Sequence, residues 1–163
     1  MGTMHYRIDD RLIHGIVAGY WTNHLKATRI MVIDEKAAND EIVRTSLRMA
    51  CPKNVNLSVL TPEKAITNIK AGNYESQNVF VISKTPEVFD KLQQSGILVD
   101  QVNMGNITYT NDRIKVAKTV SVNTKEIEAL EHLSSNGTKI ISQLIPEDTI
   151  DNFMDLLANA KKQ

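Results

Sequence analysis

The sequence predicts an α/β fold: a single open, doubly wound, mostly parallel sheet of about seven strands, with helices on both faces. Two patterns lead there. Short β-branched runs alternate with longer stretches in which apolar residues recur three or four apart. Central runs such as Asn78-Val79-Phe80-Val81-Ile82 are mostly apolar on both faces, as a strand buried beneath helices must be. Strand-helix repetition of this kind implies parallel neighbours, because a parallel pair needs a crossover connection. Residues 1–163 contain no linker, low-complexity tract or internal repeat and read as one domain.

The predicted strands are Met4–Ile8, Arg29–Ile33, Asn56–Leu60, Asn78–Ile82, Gln101–Met104, Lys118–Val122 and Lys139–Gln143. After the first comes a helical stripe of Val17, Trp21 and Leu25. Trp21 is expected to pack that helix on the sheet. A second stripe holds Val43, Leu47 and Ala50, and Ile150, Phe153, Met154 and Leu157 mark a final helix. Thr61-Pro62 and Thr85-Pro86 each set a capping hydroxyl before a proline at the first helical position. Asn123 with Glu126 reads as a helix N-cap and its reciprocal glutamate. Gly96 and Gly137 fall just past helix ends, where a left-handed residue is needed.

Composition narrows the function classes. Nineteen basic and nineteen acidic side chains balance, so the surface has no bulk attraction for nucleic acid or an anionic membrane. Any recognition of phosphate must therefore be local. No apolar run approaches the ~20 residues that cross a bilayer, and the N-terminus lacks a signal-peptide pattern. Cys51 is the one cysteine and cannot form an internal disulfide, which suits a reducing, cytoplasmic setting. His5, His24 and His132 show no metal-ligand spacing.

In an open α/β sheet, ligands bind beyond the carboxyl ends of the strands. Three loops there carry polar residues: Asp9-Asp10-Arg11-Leu12-Ile13-His14-Gly15, Ser83-Lys84-Thr85 and Asn103-Met104-Gly105-Asn106. The first is the most informative. His14 stands just before a helix start, where free amides and the helix dipole favour an anion. A neutral imidazole offers one nitrogen as a nucleophile. Arg11 presents planar donors that match phosphate oxygens. A carboxylate from Asp9 or Asp10 would bond the second ring nitrogen or orient the arginine. Gly15 lets the backbone approach a phosphoryl group. Nucleophile, cationic clamp and amide cradle suffice for phosphoryl transfer without metal or cofactor. Ser83, Lys84 and Gly105 are further phosphate-binding candidates, by hydroxyl, by ammonium and by close backbone approach.

Arg7-Ile8-Asp9-Asp10-Arg11-Leu12-Ile13-His14-Gly15, followed by Trp21, resembles the signature of enzyme IIB subunits of the mannose-fructose-sorbose phosphotransferase family. Arg29–Ile33 with Asp34-Glu35 and Ala37-Ala38, Lys84-Thr85-Pro86, Val102–Asn106 and Val120-Ser121-Val122 resemble later segments of that family, so the similarity spans the whole chain. The resemblance implies a phosphocarrier that takes a phosphoryl group from a phosphohistidine on a IIA protein or domain. It would hold the group on Nδ1 of His14 and donate it to a sugar carried by membrane subunits IIC and IID. It also implies peripheral association with that permease, and it allows pairing of two copies as a homo-oligomer. Many members carry glutamine after the His-Gly pair, whereas this chain has Ile16, a change expected to alter partner contacts or rate.

Two other classes compete. Asp9, Asp10, Asp34 and Glu35, with Ser83 and Lys84, loosely resemble a receiver domain phosphorylated on aspartate. The acceptor aspartate should then follow the third strand, where this chain has Thr61-Pro62-Glu63. A non-catalytic phosphosugar-binding module is the other, although no Gly-x-Gly-x-x-Gly or Walker loop follows the first strand.

Overall fold

The computed structural model describes residues 2–163. Its central sheet has seven strands in the order β3-β2-β4-β1-β5-β8-β9. They are β1 (Thr3–Asp9), β2 (Arg29–Ile33), β3 (Asn56–Leu60), β4 (Asn78–Ser83), β5 (Gln101–Asn106), β8 (Lys139–Ser142) and β9 (Asp151–Asn152). The first six pair in parallel, and only β9 runs antiparallel, against β8. The predicted strands of this sheet lie within two residues of the observed ones.

One predicted strand lies elsewhere. Lys118–Val122 contributes β7 (Val120–Val122), which pairs antiparallel with β6 (Ile114–Ala117) as a separate two-stranded hairpin. The position beside β5 is taken by β8, and β7 meets the residue that follows β5 through a bridge at Ile107, whose backbone donates to Thr119 O and accepts from Ser121 N. The seventh place in the sheet belongs to the two-residue β9.

Strand alternation sorts side chains into two cores. On one face Ile30, Val32, Phe80 and Ile82 meet Val17 and Trp21, Ala37 of α2 (Glu35–Ala38) and Leu47 of α3 (Glu41–Ala50). On the other, Tyr6, Ile8, Val79, Val81, Val102 and Met104 are covered by α4 (Pro62–Lys70), α5 (Pro86–Gln94), α6 (Thr124–Ser135) and α7 (Phe153–Lys161), through Ala65, Phe89, Leu130 and Phe153. Helices thus lie on both faces, as expected. Ala50 and Ile150 depart from their predicted stripes: both are exposed, and Ile150 precedes α7.

Local chemistry explains the helix ends. Thr61 accepts from Lys64 N with Pro62 in the first turn, and Asn123 with Glu126 forms a complete reciprocal cap. Thr85 makes no side-chain cap; the Ser83 hydroxyl accepts its amide instead. Gly96 and Gly137 have φ of +99° and +97°, as the left-handed helix exits require.

Chain direction selects one place on the carboxyl edge. The segment after β1 turns toward the Phe80 face, whereas β4 and β5, on either side of β1, lead to α5 and α6 on the Phe89 face. Adjacent connections that leave on opposite sides open a crevice there. Among the described residues no helix is long and apolar enough to cross a membrane.

Candidate functional site

The loop after β1 is bent by a residue of unusual conformation. Leu12 has φ of +58°, in the left-handed region that a branched, bulky side chain rarely adopts, and Leu12 N closes the turn on Asp9 O at 3.0 Å. Burial of Leu12 and Ile13 in the Phe80-face core offsets that strain, which is of order 1–3 kcal/mol. The turn folds the chain back so that His14, five residues after Asp9, reaches the Asp9 side chain. From Ile16 to Trp21 the helix is of the wide π form, and it runs on into α1 (Thr22–Leu25). Thr22 Oγ1 donates to Val17 O, five residues back, at 2.9 Å.

Asp9 is the hub. Its carboxylate is fully buried, a position tolerable for a charge only with partners. His14 Nε2 lies 3.0 Å from Oδ2. Arg11 donates to Oδ1 through its backbone N (3.1 Å) and Nε (3.2 Å), and to Oδ2 through Nη2 (3.4 Å). Arg7 Nη2 donates to Oδ2 at 3.3 Å. The carboxylate only accepts, so the proton of a neutral His14 sits on Nε2 and the lone pair on Nδ1. The Ile16 amide points at that nitrogen from 3.3 Å. The imidazole side chain is 20% exposed and the Arg11 side chain 41%, so both open to solvent from a sealed base.

Arg7 belongs to this site, although the sequence marks it only as the first residue of the Arg7–Gly15 motif and assigns it no role. It is almost wholly buried, lies 5.1 Å from the Trp21 ring centre, and donates to the carbonyls of Gln143 and Leu144. Trp21 Nε1 donates to the same Leu144 carbonyl at 2.7 Å. Burial lowers the Arg7 pKa from its ordinary value, and the Asp9 charge opposes that shift. The available signal was the spacing: an arginine between Tyr6 and Ile8 in a covered central strand needs a counter-charge, and Asp9 is the next residue on its face.

The other candidates divide. Asp10 turns away from His14 and accepts from Asn106 Nδ2 (2.7 Å) and Thr108 N (2.8 Å), tying the loop to the end of β5. Gly15 is exposed, with open space where a Cβ would stand. Ser83 is buried and spends its hydroxyl on the Thr85 backbone. Lys84 is half-exposed and, among the described residues, forms no hydrogen bond or ion pair with the His14 loop. A Cβ on Gly105 would stand 2.3 Å from Arg7 Cζ, so this glycine makes room for the guanidinium. Asn103 exchanges hydrogen bonds with the Gln143 backbone.

Comparison with known proteins bears on the whole chain. The family described as PTS system sorbose subfamily IIB component matches residues 4–163. The chain belongs to that family. It is a IIB component of a sugar phosphotransferase system, and phosphotransfer is its role. The chain is 31% identical over 156 residues to the fructose-specific EIIB component of Bacillus subtilis (strain 168), covering 96% of each protein. It is 31% identical to the mannose-specific EIIAB component of Escherichia coli (strain K12), covering 96% of this chain and 48% of that longer protein. The crystal structure of the IIB domain of the sorbose permease from Klebsiella pneumoniae superposes with a TM-score of 0.92 at 28% identity, covering 96% of this chain and 97% of that one.

Membership in this family disfavours the receiver and binding-module readings. The site geometry argues against the receiver too: Asp9 is held by two arginines and Asp10 by an asparagine and an amide, while Thr61 and Pro62 follow β3.

Proposed function

We propose that His14 is the phosphoryl acceptor of a cytoplasmic relay from a phosphohistidine on a IIA protein or domain to a sugar handled by membrane subunits IIC and IID. The observation that carries this reading is the Asp9–His14 hydrogen bond, which places the lone pair on Nδ1 at the start of a helix, where it accepts the Ile16 amide. The relative that joins A and B components in one polypeptide fits a IIA donor.

The step balances without moving a proton. The Ile16 amide gives up Nδ1, the Nδ1 lone pair of His14 attacks phosphorus in line, the new N–P bond forms as the donor's N–P bond breaks, and the donor ring leaves with its electron pair. His14 keeps the proton on Nε2 and becomes cationic, and the buried Asp9 carboxylate stabilises that charge. Arg11 and the amides of the first helical turn hold the phosphoryl oxygens. In onward transfer a sugar hydroxyl attacks phosphorus, the N–P bond breaks with its electron pair returning to Nδ1, and the hydroxyl proton is lost to solvent. Ile16 contributes its main-chain N–H to this arrangement, so the change from glutamine leaves that donor in place and alters the surface a partner meets. Because donor and sugar subunits must reach the same ring nitrogen, their docking is mutually exclusive. Lys84 and Gly15 are the remaining candidates for contact with phosphate, and Asp10 and Ser83 support the backbone around them.

The experiment is phosphorylation by the general phosphotransferase proteins plus IIA, followed by location of the modified residue. His14→Ala is expected to abolish uptake in a folded protein; uptake retained by that variant rejects the assignment.

A further inference from the structure

We infer that the two arginines on Asp9 divide the work: Arg7 is a positioning residue that stays on the carboxylate throughout, which frees Arg11 to leave Asp9 for the incoming phosphoryl group. The inference rests on His14 as acceptor and adds a residue and a movement to that reading.

Three observations support it. The first concerns crowding. Asp9 Oδ2 has three donors within 3.4 Å: His14 Nε2 at 3.0 Å, Arg7 Nη2 at 3.3 Å and Arg11 Nη2 at 3.4 Å. A carboxylate oxygen offers about two lone-pair sites, so one donor is surplus, and the longest contact is that of Arg11. The second concerns mobility. The Arg11 side chain is 41% exposed, whereas that of Arg7 is 1% exposed. The Arg7 guanidinium is fixed by the Gln143 and Leu144 carbonyls, lies against Trp21, and fills the space left by Gly105. The third is charge. A buried carboxylate stripped of its cation is heavily penalised. With Arg7 in place, Arg11 can turn outward while its own backbone amide remains on Oδ1 at 3.1 Å. Arg7 and Asp9 then form a neutral pair, and the Arg11 charge is available to the anion.

Gly105 thereby acquires a role different from a phosphate cradle. It is the clearance that lets Arg7 lie flat beneath the site, and through Arg7 it determines where Asp9 holds the imidazole.

The test uses the full chain with 15N-labelled histidine and arginine. The proton position on His14, the Nε–H resonances of Arg7 and Arg11, and the initial rate of uptake from phospho-IIA are measured for wild type, Gly105→Ala and Arg7→Lys. In wild type, phosphorylation is expected to shift the Arg11 resonance and leave that of Arg7 in place. Gly105→Ala, which displaces the guanidinium, and Arg7→Lys, which keeps a charge without the fork, are each expected to slow uptake at least about tenfold and to deplete the Nε2–H form of His14. Lysine lacks the planar group that the new methyl would strike, so combining the two substitutions costs less than the sum of their separate effects. Arg7→Lys carries the test if Gly105→Ala does not fold. Uptake within twofold of wild type together with an unchanged His14 proton in a folded variant overturns the inference, as does a wild-type Arg7 resonance that moves on phosphorylation while Arg11 stays. If wild type carries phosphate on another residue, the functional reading fails, while the His14 proton in unphosphorylated variants still tests the hold of Arg7 on Asp9.

Discussion

Among the described residues two carboxylates are buried against arginine, Asp9 and Glu126, and Asp9 has a second arginine and an imidazole that Glu126 lacks. Glu126 takes Arg113 Nε and Nη2 at 3.0 Å each and the Asn123 amide at 2.9 Å, so its charge is spent on starting α6 and pinning the loop before β6. Asp9 takes two arginines, the Arg11 backbone amide and an imidazole. Burying either charge demands compensation, and both obtain it from guanidinium. With one guanidinium and a backbone amide as its donors, the Glu126 cluster is a structural cap. A histidine with a second nitrogen facing out makes the same kind of cluster chemically active.

The sharpest way to break this contrast is to neutralise each carboxylate in turn. Asp9→Asn is expected to lower the rate of phosphoryl uptake by on the order of 10²-fold or more, because the tautomer and the stabilised charge are lost together. It should also cost about 3–5 kcal/mol of stability in urea unfolding, since Arg7 is left buried without its counter-charge. Glu126→Gln is expected to cost about 2 kcal/mol, less because Arg113 reaches solvent, with uptake within twofold of wild type. A large rate loss in Glu126→Gln would erase the distinction. Arg11→Lys keeps the charge and loses the planar fork; transfer about tenfold slower is expected, and an unchanged rate would deny it the clamp role. Trp21→Phe removes the bond to Leu144 O and is expected to cost about 1 kcal/mol, read from the unfolding midpoint.

The smallest effect concerns Glu87, in the first turn of α5. Partial burial, then the Glu126 charge, raise its pKa. A raised carboxyl value means that folding favours the protonated form. That contribution is present at low pH and is lost as pH rises through the folded value, so ionised Glu87 opposes folding at neutrality. Glu87→Gln should gain no more than about 0.5 kcal/mol at pH 7 after solvent screening, and nothing well below the ordinary glutamate range. A loss at pH 7 in unfolding curves would reverse the sign.

Much of this arrangement was legible in the residues. Periodicity located the six parallel strands, most plainly β2 and β4, which are covered on both faces and leave little freedom for polar interruption. It failed for Lys118–Val122 because alternation marks a strand without naming its partner, and the neighbouring position on β5 went to β8. The π form of Ile16–Trp21 left no mark, since Val17 and Trp21 keep a helical spacing. At the site, His14, Arg11 and Asp9 were visible as a loop motif at a carboxyl edge. Arg7 and Gly105 were not read together, because they lie on adjacent strands and their relation is a clearance of one side chain against one missing Cβ. Asp10 was indistinguishable from Asp9 by residue type. Direction separated them: Asp9 ends β1 on the buried Arg7 face, and Asp10 already belongs to the turn.

The central claim is that Asp9 holds the proton on one ring nitrogen and thereby leaves the other to phosphorus. Nitrogen–phosphorus coupling in 15N-histidine-labelled, phosphorylated protein tests it most directly. Phosphorus coupled to Nδ1 of His14, with a proton retained on Nε2, is the expected result. Coupling to Nε2, or to a different histidine, would contradict the account.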